Sequence, residues 1–380
     1  MRVEAPIPAE VFDAIRAPFL AMPAETLDAP VVQPLSQLLD LAGETLRERL
    51  FIVQTGEGGA EACLRTDFTL PALSAHIASG RSSGRYFYSG RAFRVAPAGS
   101  TRAEEFPQVG VEAFEPGAAE LADAEMAAVA WRAAAAGGRD DLTLLLGDVA
   151  LFSALIDTVG LAPPLAARLK RAFSSPRKLQ AELEAADRAE VPGPRQGERL
   201  AALLSGLPEA EAAGVLEEIW SLAGIEPVGG RSAVEIVHRL GERARLADAP
   251  SLTAEQAQLV ARFLAISGEP LAAIDAIGRL APVLNGGLAR AQQMWATRIE
   301  AILCAGVPAE RLRFSAAFGR AFGYYDGMVF EIRSETLGRD QPVAAGGRYD
   351  NLAARLGGRL ETGAVGCMVR PGRAWVGGKA

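Results

Sequence analysis

Two alternating segments joined by a long polar loop constrain the fold of this chain more than any other feature. They lie within Arg85–Glu115, which reads RYFYSGRAFRVAPAGSTRAEEFPQVGVEAFE. In the second segment, apolar residues alternate with Gln108, Gly110 and Glu112. An alternation with period two is typical of a half-buried antiparallel strand. The pattern therefore predicts two β-strands connected by the loop.

The polar positions of the second predicted strand form a candidate ligand site. Gln108 and Glu112 would lie about 13 Å apart, because each strand residue adds ~3.3 Å. Gly110 between them has no side chain. An amide and a carboxylate that flank a glycine suit a small ligand with a cationic group and an amine. The same pattern is also typical of the solvent face of a strand, with Gly110 at a bulge, and the pattern alone leaves both interpretations open.

Length and composition are those of a globular protein with two domains. Of the 380 residues, 49% are hydrophobic and 22% are charged, and the formal charge of −7 gives no global attraction for nucleic acid. Cys63, Cys304 and Cys367 lack the spacing of a disulfide framework or a zinc site. We find neither an N-terminal apolar signal segment nor a run approaching 18 apolar residues, so we expect a cytoplasmic protein without a membrane partner.

Motifs of several common enzyme classes are absent from the sequence. It contains no GxxxxGKS/T phosphate loop, no G-x-S-x-G elbow and no HExxH zinc motif. The two histidines, His76 and His238, lie on predicted helices, and we interpret both as structural or surface residues. We therefore expect no metal site, no metal hydrolase and no Ser-His-Asp enzyme.

The predicted elements divide the chain into three parts: 1–150, a helical insertion over 151–305, and 306–380. Residues 151–305 show little alternation and consist mostly of helical runs broken by proline and glycine. We also expect helices at Ala9–Leu20, 36–50 and 118–136, with further helix starts at Ser175-Pro176 and Thr253. Strands are expected at 50–55, 141–147 and 311–315, and an extended edge segment at 29–34. A turn is expected at 56–59 and an exposed loop at 191–194.

Several segments resemble the histidyl-tRNA synthetases, which are class II aminoacyl-tRNA synthetases. Phe93-Arg94, a loop and then QVGVE are similar to their motif 2, and FGRAFGYYDGMVFEIRS and AAGGRYDNLAARLGG resemble their two histidine-recognition signatures. LRTDFTLP resembles the segment that opens their amino-acid pocket, and the Pro30–Pro34 segment resembles motif 1 at their dimer interface. The resemblance covers roughly 1–150 and 305–373. It implies an α+β fold with a class II synthetase-like antiparallel sheet flanked by helices.

The resemblance also implies which residues line a histidine-like pocket. Carboxylates would hold an α-ammonium group, an arginine would meet a carboxylate, and paired glycines would admit the ligand close to the backbone. The implied set is Asp67, Thr69, Arg94, Arg102, Gln108, Glu112, Arg320, Tyr324, Tyr325, Gly346, Gly347 and Tyr349.

Departures from the synthetase pattern affect the implied chemistry. After Phe93-Arg94 the loop continues Val95-Ala96-Pro97, where the family carries an acid and a second arginine, although Arg102 is present. Motif 3 has Gly372 in place of an acid, and Pro371 disfavours continuing the helix that should carry Arg373. We expect no counterpart of the family's C-terminal anticodon-binding domain. We therefore expect fewer charged side chains that bind ATP than in the synthetases.

The sequence retains the residues of the amino-acid pocket but lacks several of the groups that bind ATP and tRNA. In this combination it resembles the synthetase paralogues that serve as regulatory subunits of ATP phosphoribosyltransferase. That resemblance implies no catalytic residues and no cofactor, with L-histidine as a possible effector. It also implies a homodimeric core and a short-form catalytic subunit as the partner, activated by this chain and inhibited by histidine in the first step of histidine biosynthesis. The alternatives are a freestanding synthetase paralogue that transfers an activated amino acid to a protein or small RNA, and a dimerisation module with a vestigial pocket.

Overall fold

The fold is taken from a computed structural model. It describes residues 1–42, 47, 49–54, 61–186, 203–204, 206–224, 232–234, 236–238, 240–241, 251–280, 287–320, 323–356 and 362–377. The predicted turn at 56–59 and the predicted loop at 191–194 lie outside these residues.

A mostly antiparallel sheet lies at the centre of the molecule. In chain order, the described strands are β1 (Glu25–Thr26), β2 (Val32–Pro34), β3 (Ile52–Val53), β4 (Ala62–Leu64), β5 (Gly84–Phe93), β6 (Glu105–Glu115), β7 (Leu142–Asp148), β8 (Ser267–Gly268), β9 (Leu312–Ser315), β10 (Met328–Ser334), β11 (Ala344–Arg348) and β12 (Gly363–Val369). Nine form one sheet, in the order β1-β5-β6-β12-β11-β10-β7-β9-β8. Within it, β1 pairs with β5 and β7 with β9 in parallel, and the other neighbours are antiparallel.

Helices flank this sheet, which confirms the predicted α+β class. The described α-helices are α1 (Ala9–Leu20), α2 (Leu35–Ala42), α3 (Thr69–Ser79), α4 (Ala119–Ala135), α5 (Val149–Thr158), α6 (Pro163–Ala172), α7 (Pro176–Ala185), α8 (Glu209–Ala223), α9 (Ala254–Leu264), α10 (Pro270–Arg279), α11 (Gly287–Cys304), α12 (Leu352–Arg355) and α13 (Pro371–Ala374), with a 3₁₀-helix at Ala309–Arg311. None of the described helices has both the length and the apolar run needed to cross a membrane.

Local capping chemistry explains where two of the helices begin. The Thr253 side chain accepts a hydrogen bond from the Gln256 backbone, and the Gln256 side chain accepts one from the Thr253 backbone. This capping box satisfies two amide groups at the start of α9. Ser175 is the N-cap of α7, with Pro176 at its first position, although the Ser175 side chain makes no capping bond. Both predicted helix starts are confirmed.

The predicted strand–loop–strand unit is formed by β5 and β6. Their antiparallel register pairs Tyr86 with Glu112 and Tyr88 with Gly110. Directly paired residues point to the same side of a sheet. The two tyrosines therefore lie on the same face as the predicted ligand-binding positions of β6.

The opposite face of the sheet packs into the main apolar core. Val111, Cys367 and Phe330 lie on this face and belong to one core cluster with residues of α4. Trp295 and Ile299 of α11 belong to the same cluster. Part of the predicted insertion is thus packed into this core, while the boundaries at 150 and 305 stay a prediction.

A second, three-stranded sheet has the order β2-β4-β3, which places β2 at its edge. This arrangement confirms an extended edge strand over Val32–Pro34, within the segment predicted at 29–34. Of the helix expected over 36–50, the structure describes α2 over Leu35–Ala42, and residues 43–46 and 48 lie outside the described part of the chain. The strand expected at 50–55 is the short β3.

The expectation for Pro371 was wrong. Pro371 is the first residue of α13, and Arg373 lies on this one-turn helix. At the first helical position a proline loses no intrahelical hydrogen bond, and its fixed φ suits the helix. Pro371 therefore begins the helix that carries Arg373 and does not interrupt it.

Candidate functional site

The polar residues of β6 face the interior and not the solvent. Gln108 is fully buried and Glu112 is 2% exposed, so the solvent-face interpretation of the strand was wrong. A β-carbon on Gly110 would lie 2.4 Å from the Tyr88 hydroxyl oxygen and 2.2 Å from the Cys367 carbonyl oxygen. Glycine is therefore required at this position for Tyr88 to lie across the strand.

Glu112 is at the centre of a buried hydrogen-bond network. Thr69 donates its hydroxyl to Oε1 at 2.8 Å, and the Tyr88 hydroxyl lies 3.4 Å from the same oxygen. The Tyr349 hydroxyl donates to Oε2. A β-carbon on Gly366 would lie 1.6 Å from Oε2. Residues distant in the sequence therefore hold this carboxyl group against the sheet.

The environment of Glu112 changes its acidity. Burial raises the pKa of Glu112 to about 7, although the hydrogen bonds from Tyr349 and Thr69 favour the ionised form. Burial and the neighbouring Glu112 raise the pKa of Tyr349 well above its usual range. Glu112 is thus partly protonated near neutral pH, and a bound cation would favour its charged form.

Asp67 and Arg94 form the second charged group of the site. An Asp67 oxygen lies 3.9 Å from an Arg94 nitrogen, and Arg94 also donates from Nε to the Thr66 carbonyl at 3.0 Å. Burial raises the pKa of Asp67, and Arg94 opposes that shift. Phe68 is the N-cap of α3 and Thr69 its first residue, and the Thr69 backbone amide donates a hydrogen bond to the Asp67 carboxylate, which favours its charged form.

Arg320, Tyr324 and Tyr325 form the third group of side chains at the site. Arg320 donates to Glu331 at 3.0 Å, and its guanidinium lies 5.6 Å from the centre of the Tyr325 ring. The Tyr324 and Tyr325 hydroxyl oxygens are 3.4 Å apart. Among the described residues, Arg320 Nε is buried without a hydrogen-bond partner.

These groups surround an inner cavity of about 20 Å³. Nine of the twelve predicted residues line it: Asp67, Thr69, Arg94, Glu112, Arg320, Tyr324, Tyr325, Gly346 and Tyr349. This volume holds about one water molecule. The side chains therefore fill the space that the sequence assigned to an amino acid.

Three predicted residues lie outside this lining. Gln108 donates to the Met368 sulfur at 3.7 Å, and Arg102 lines a separate, larger cleft. A β-carbon on Gly347 would lie 2.9 Å from the Tyr325 ring, so this glycine makes room for Tyr325. Tyr88 lines the cavity and was missed. Its position opposite Gly110 in the predicted strand pair was the available signal.

The larger cleft has a volume of about 660 Å³ and is strongly cationic. Among the described residues that line it, eight are arginines, and Glu331 and Asp340 are the acids. Arg94, Arg320 and Met368 also line the inner cavity, so the two spaces adjoin. The cleft can therefore attract anions next to the predicted amino-acid pocket.

Two of these arginines come from the segment that resembles motif 3. Burial lowers the pKa of Arg370 to about 10, opposed by Glu4. Burial lowers the pKa of Arg373 to about 9, and the neighbouring Arg370 lowers it further. The sequence departures had indicated fewer phosphate-binding groups, and this concentration of arginines was not anticipated. No group of three or more His, Cys, Asp or Glu side chains within the described part of the chain could hold a metal ion.

Comparison with known proteins gives both a family and a fold. Residues 25–371 match the family model described as histidyl-tRNA synthetase. The ATP phosphoribosyltransferase regulatory subunit of Mesorhizobium japonicum is 37% identical over 361 residues, 92% of each chain. The protein of the same name from Brucella anthropi is 35% identical over 94% of each chain.

A solved structure agrees with this relationship. The crystal structure of an ATP phosphoribosyltransferase regulatory subunit/histidyl-tRNA synthetase from Bacillus halodurans matches with a TM-score of 0.63. The match covers 97% of this chain and 78% of that chain. At 19% identity it shows the class II synthetase-like fold alone. From its sequence relatives, the chain belongs to the histidyl-tRNA synthetase family and, within it, to the ATP phosphoribosyltransferase regulatory subunits.

Proposed function

We propose that this chain activates a short-form ATP phosphoribosyltransferase catalytic subunit and takes part in feedback inhibition by L-histidine. The observation that carries the proposal is the similarity to regulatory subunits over 92% of both chains, at 37% identity. The chain itself would catalyse no step of the reaction. Its role would be to bind the partner and to change the partner's activity.

The buried site supports a role for an amino-acid effector. Glu112 and Asp67 offer carboxyl groups for an ammonium group, and Arg94 and Arg320 offer guanidinium groups for a carboxylate. The inner cavity of about 20 Å³ cannot take an amino acid unless side chains move. Histidine would then favour an open arrangement over the closed one described here. Such a difference in affinity between two conformations is what feedback inhibition requires.

The freestanding synthetase paralogue is the competing function, and the arginine-rich cleft is the observation that favours it. Eight arginines could neutralise a nucleotide. Val95 and Ala96, where the synthetase loop has charged side chains, favour the regulatory role. The two functions differ in whether bound histidine is converted to an activated intermediate.

Calorimetric titration with L-histidine, followed by a pyrophosphate-exchange assay with ATP and Mg²⁺, tests the proposal. We expect histidine binding without exchange, and at least tenfold weaker binding by Glu112→Ala. Glu310→Ala, which changes an exposed acid on the 3₁₀-helix, is the matched control and should bind as the unmodified protein does. Histidine-dependent exchange would contradict the proposal in favour of the synthetase paralogue.

We further propose a homodimeric core that uses the three-stranded sheet. Val31 is 42% exposed, Val32 48% and Ile52 39%, so apolar side chains are exposed on and beside β2 and β3. Burying them against a second copy would remove this surface from water. Sedimentation velocity should give a dimer, and Val32→Lys should shift it toward monomer. A monomeric unmodified protein would contradict the dimer.

A further inference from the structure

The N-terminal segment is packed beside the cationic cleft. Val3 forms a parallel bridge with Glu105, and the Glu4 amide donates to the Glu105 carbonyl at 2.8 Å. The Glu104 amide donates to the Arg2 carbonyl at 2.7 Å. These bonds pair the N-terminal segment with the start of β6 and place the Glu4 backbone beside that strand.

Glu4 occupies the space above Gly372. One Glu4 oxygen lies 2.5 Å from Arg370 Nη2. A β-carbon on Gly372 would lie 2.7 Å from the carboxyl carbon of Glu4 and 2.7 Å from its other oxygen. Any side chain larger than hydrogen at position 372 would therefore displace the Glu4 carboxylate.

Arg370 connects this carboxylate to the cleft. Its guanidinium lies 3.6 Å from the centre of the Phe106 ring, and Arg370 is 6% exposed. Among the described residues, its Nε has no hydrogen-bond partner. Arg370 lines the cleft and Glu4 does not. Arg370 therefore lies between Glu4 and the cleft, and Glu4 can affect an anion in the cleft only through its charge.

The charge balance makes this single carboxylate important. Eight arginines and two acids are the charged residues among the described ones that line the cleft. The Glu4 side chain beside Arg370 is 16% exposed, so solvent screens its charge less than that of a fully exposed carboxylate. At separations of several ångströms, one charge changes the affinity for an anion by roughly 3- to 30-fold.

We propose that Glu4 is a built-in counter-ion that weakens the binding of polyanions to the cleft. The ligand class is an anion with at least two phosphate groups, which several arginines can contact at once. Displacing the Glu4 carboxylate would release Arg370 and strengthen this binding. The inference stands independently of the partner and of histidine binding.

Calorimetric titration with inorganic pyrophosphate, without divalent cation, tests this inference. Glu4→Gln removes the charge in place. Gly372→Ala keeps the acid but displaces it by steric overlap, and its backbone lies outside the left-handed region. We expect both variants to bind pyrophosphate roughly 3- to 30-fold more tightly than the unmodified protein. Glu310→Gln, with the same net charge change as Glu4→Gln, should leave the affinity within about twofold.

Unchanged or weaker binding by a folded Glu4→Gln variant would overturn the inference, because Glu4 would then only hold Arg370 in place. The absence of pyrophosphate binding to every protein would also overturn it. Thermal unfolding identifies a variant that fails to fold. In that case the pyrophosphate affinity of whichever variant folds, Glu4→Gln or Gly372→Ala, decides whether the inference holds.

Discussion

The Tyr349 hydroxyl donates a hydrogen bond to Oε2 of Glu112, although 237 residues separate them in the sequence. Glu112 lies on β6, and Tyr349 follows directly after β11. The bond joins two of the segments that resemble histidyl-tRNA synthetases and closes the inner cavity. The closed site is therefore a property of the folded sheet and not of one motif.

Tyr349→Phe should destabilise the protein more at pH 8 than at pH 5. At pH 8 the substitution removes a hydrogen bond to a charged, buried carboxylate, which contributes about 1.5–3 kcal/mol. At pH 5 Glu112 is mainly protonated, since burial raises its pKa to about 7, and the loss should be nearer 1 kcal/mol. Urea unfolding at the two pH values measures the difference. An equal loss at both would contradict the assigned role of Glu112.

Glu112 should make stability fall as pH rises from about 4.5 to 7. Its pKa is raised from the ordinary value of 4.5 to about 7 by burial, so the folded state binds the proton more tightly than the unfolded state. This contribution is complete below the unfolded pKa and is lost as pH rises through the folded pKa. The change is about 3 kcal/mol.

Glu112→Gln removes this titration. Its unfolding free energy relative to the unmodified protein should rise by up to about 3 kcal/mol between pH 4.5 and pH 8. Urea unfolding across this range gives both curves. Parallel curves would show that Glu112 does not titrate in this window.

Gly366→Ala should disrupt the site. The new methyl group would lie 1.6 Å from Glu112 Oε2, which forces the carboxyl group or the strand to move. Overpacking of this kind costs about 1–3 kcal/mol. Gly214→Ala in α8 is the control, because its β-carbon would meet nothing within 4 Å. That change should stabilise the helix by about 0.5–1 kcal/mol. Chemical unfolding compares the two, and similar effects would contradict the close packing of Gly366.

Arg298→Ala should be among the more damaging single substitutions. Arg298 of α11 donates twice to Oδ2 of the fully buried Asp123, at 2.7 and 3.0 Å, while Arg348 donates to Oδ1 at 2.8 Å. Breaking a buried ion pair costs about 3–5 kcal/mol. Lys170→Ala breaks a solvent-exposed pair with Asp157 and should cost less than about 1 kcal/mol. Comparable losses in unfolding experiments would contradict the structural role of Asp123.

Local sequence patterns predicted much of the fold. The alternation in Arg85–Glu115 identified both strands, and the helix at Ala9–Leu20 was placed correctly. Such elements are fixed by neighbouring residues, through periodicity and end signals. Pro371 shows the limit of this reasoning, since its effect depends on whether it begins a helix or interrupts one.

The site was predicted in part because motif order indicates which segments meet. It does not give side-chain distances, so neither the closure of the cavity by Glu112 nor the role of Tyr88 was predicted. Long-range juxtapositions such as Glu4 with Gly372 were also missed. They depend on the three-dimensional packing of opposite ends of the chain.

The most direct test of the proposed function is the initial rate of ATP phosphoribosylation by the short-form catalytic subunit from the same organism, with and without this chain. We predict that adding this chain at saturating concentration raises the rate at least several-fold and that L-histidine reverses the increase. The chain alone should give no product. A rate that this chain leaves unchanged, although the catalytic subunit is folded and active, would contradict the account.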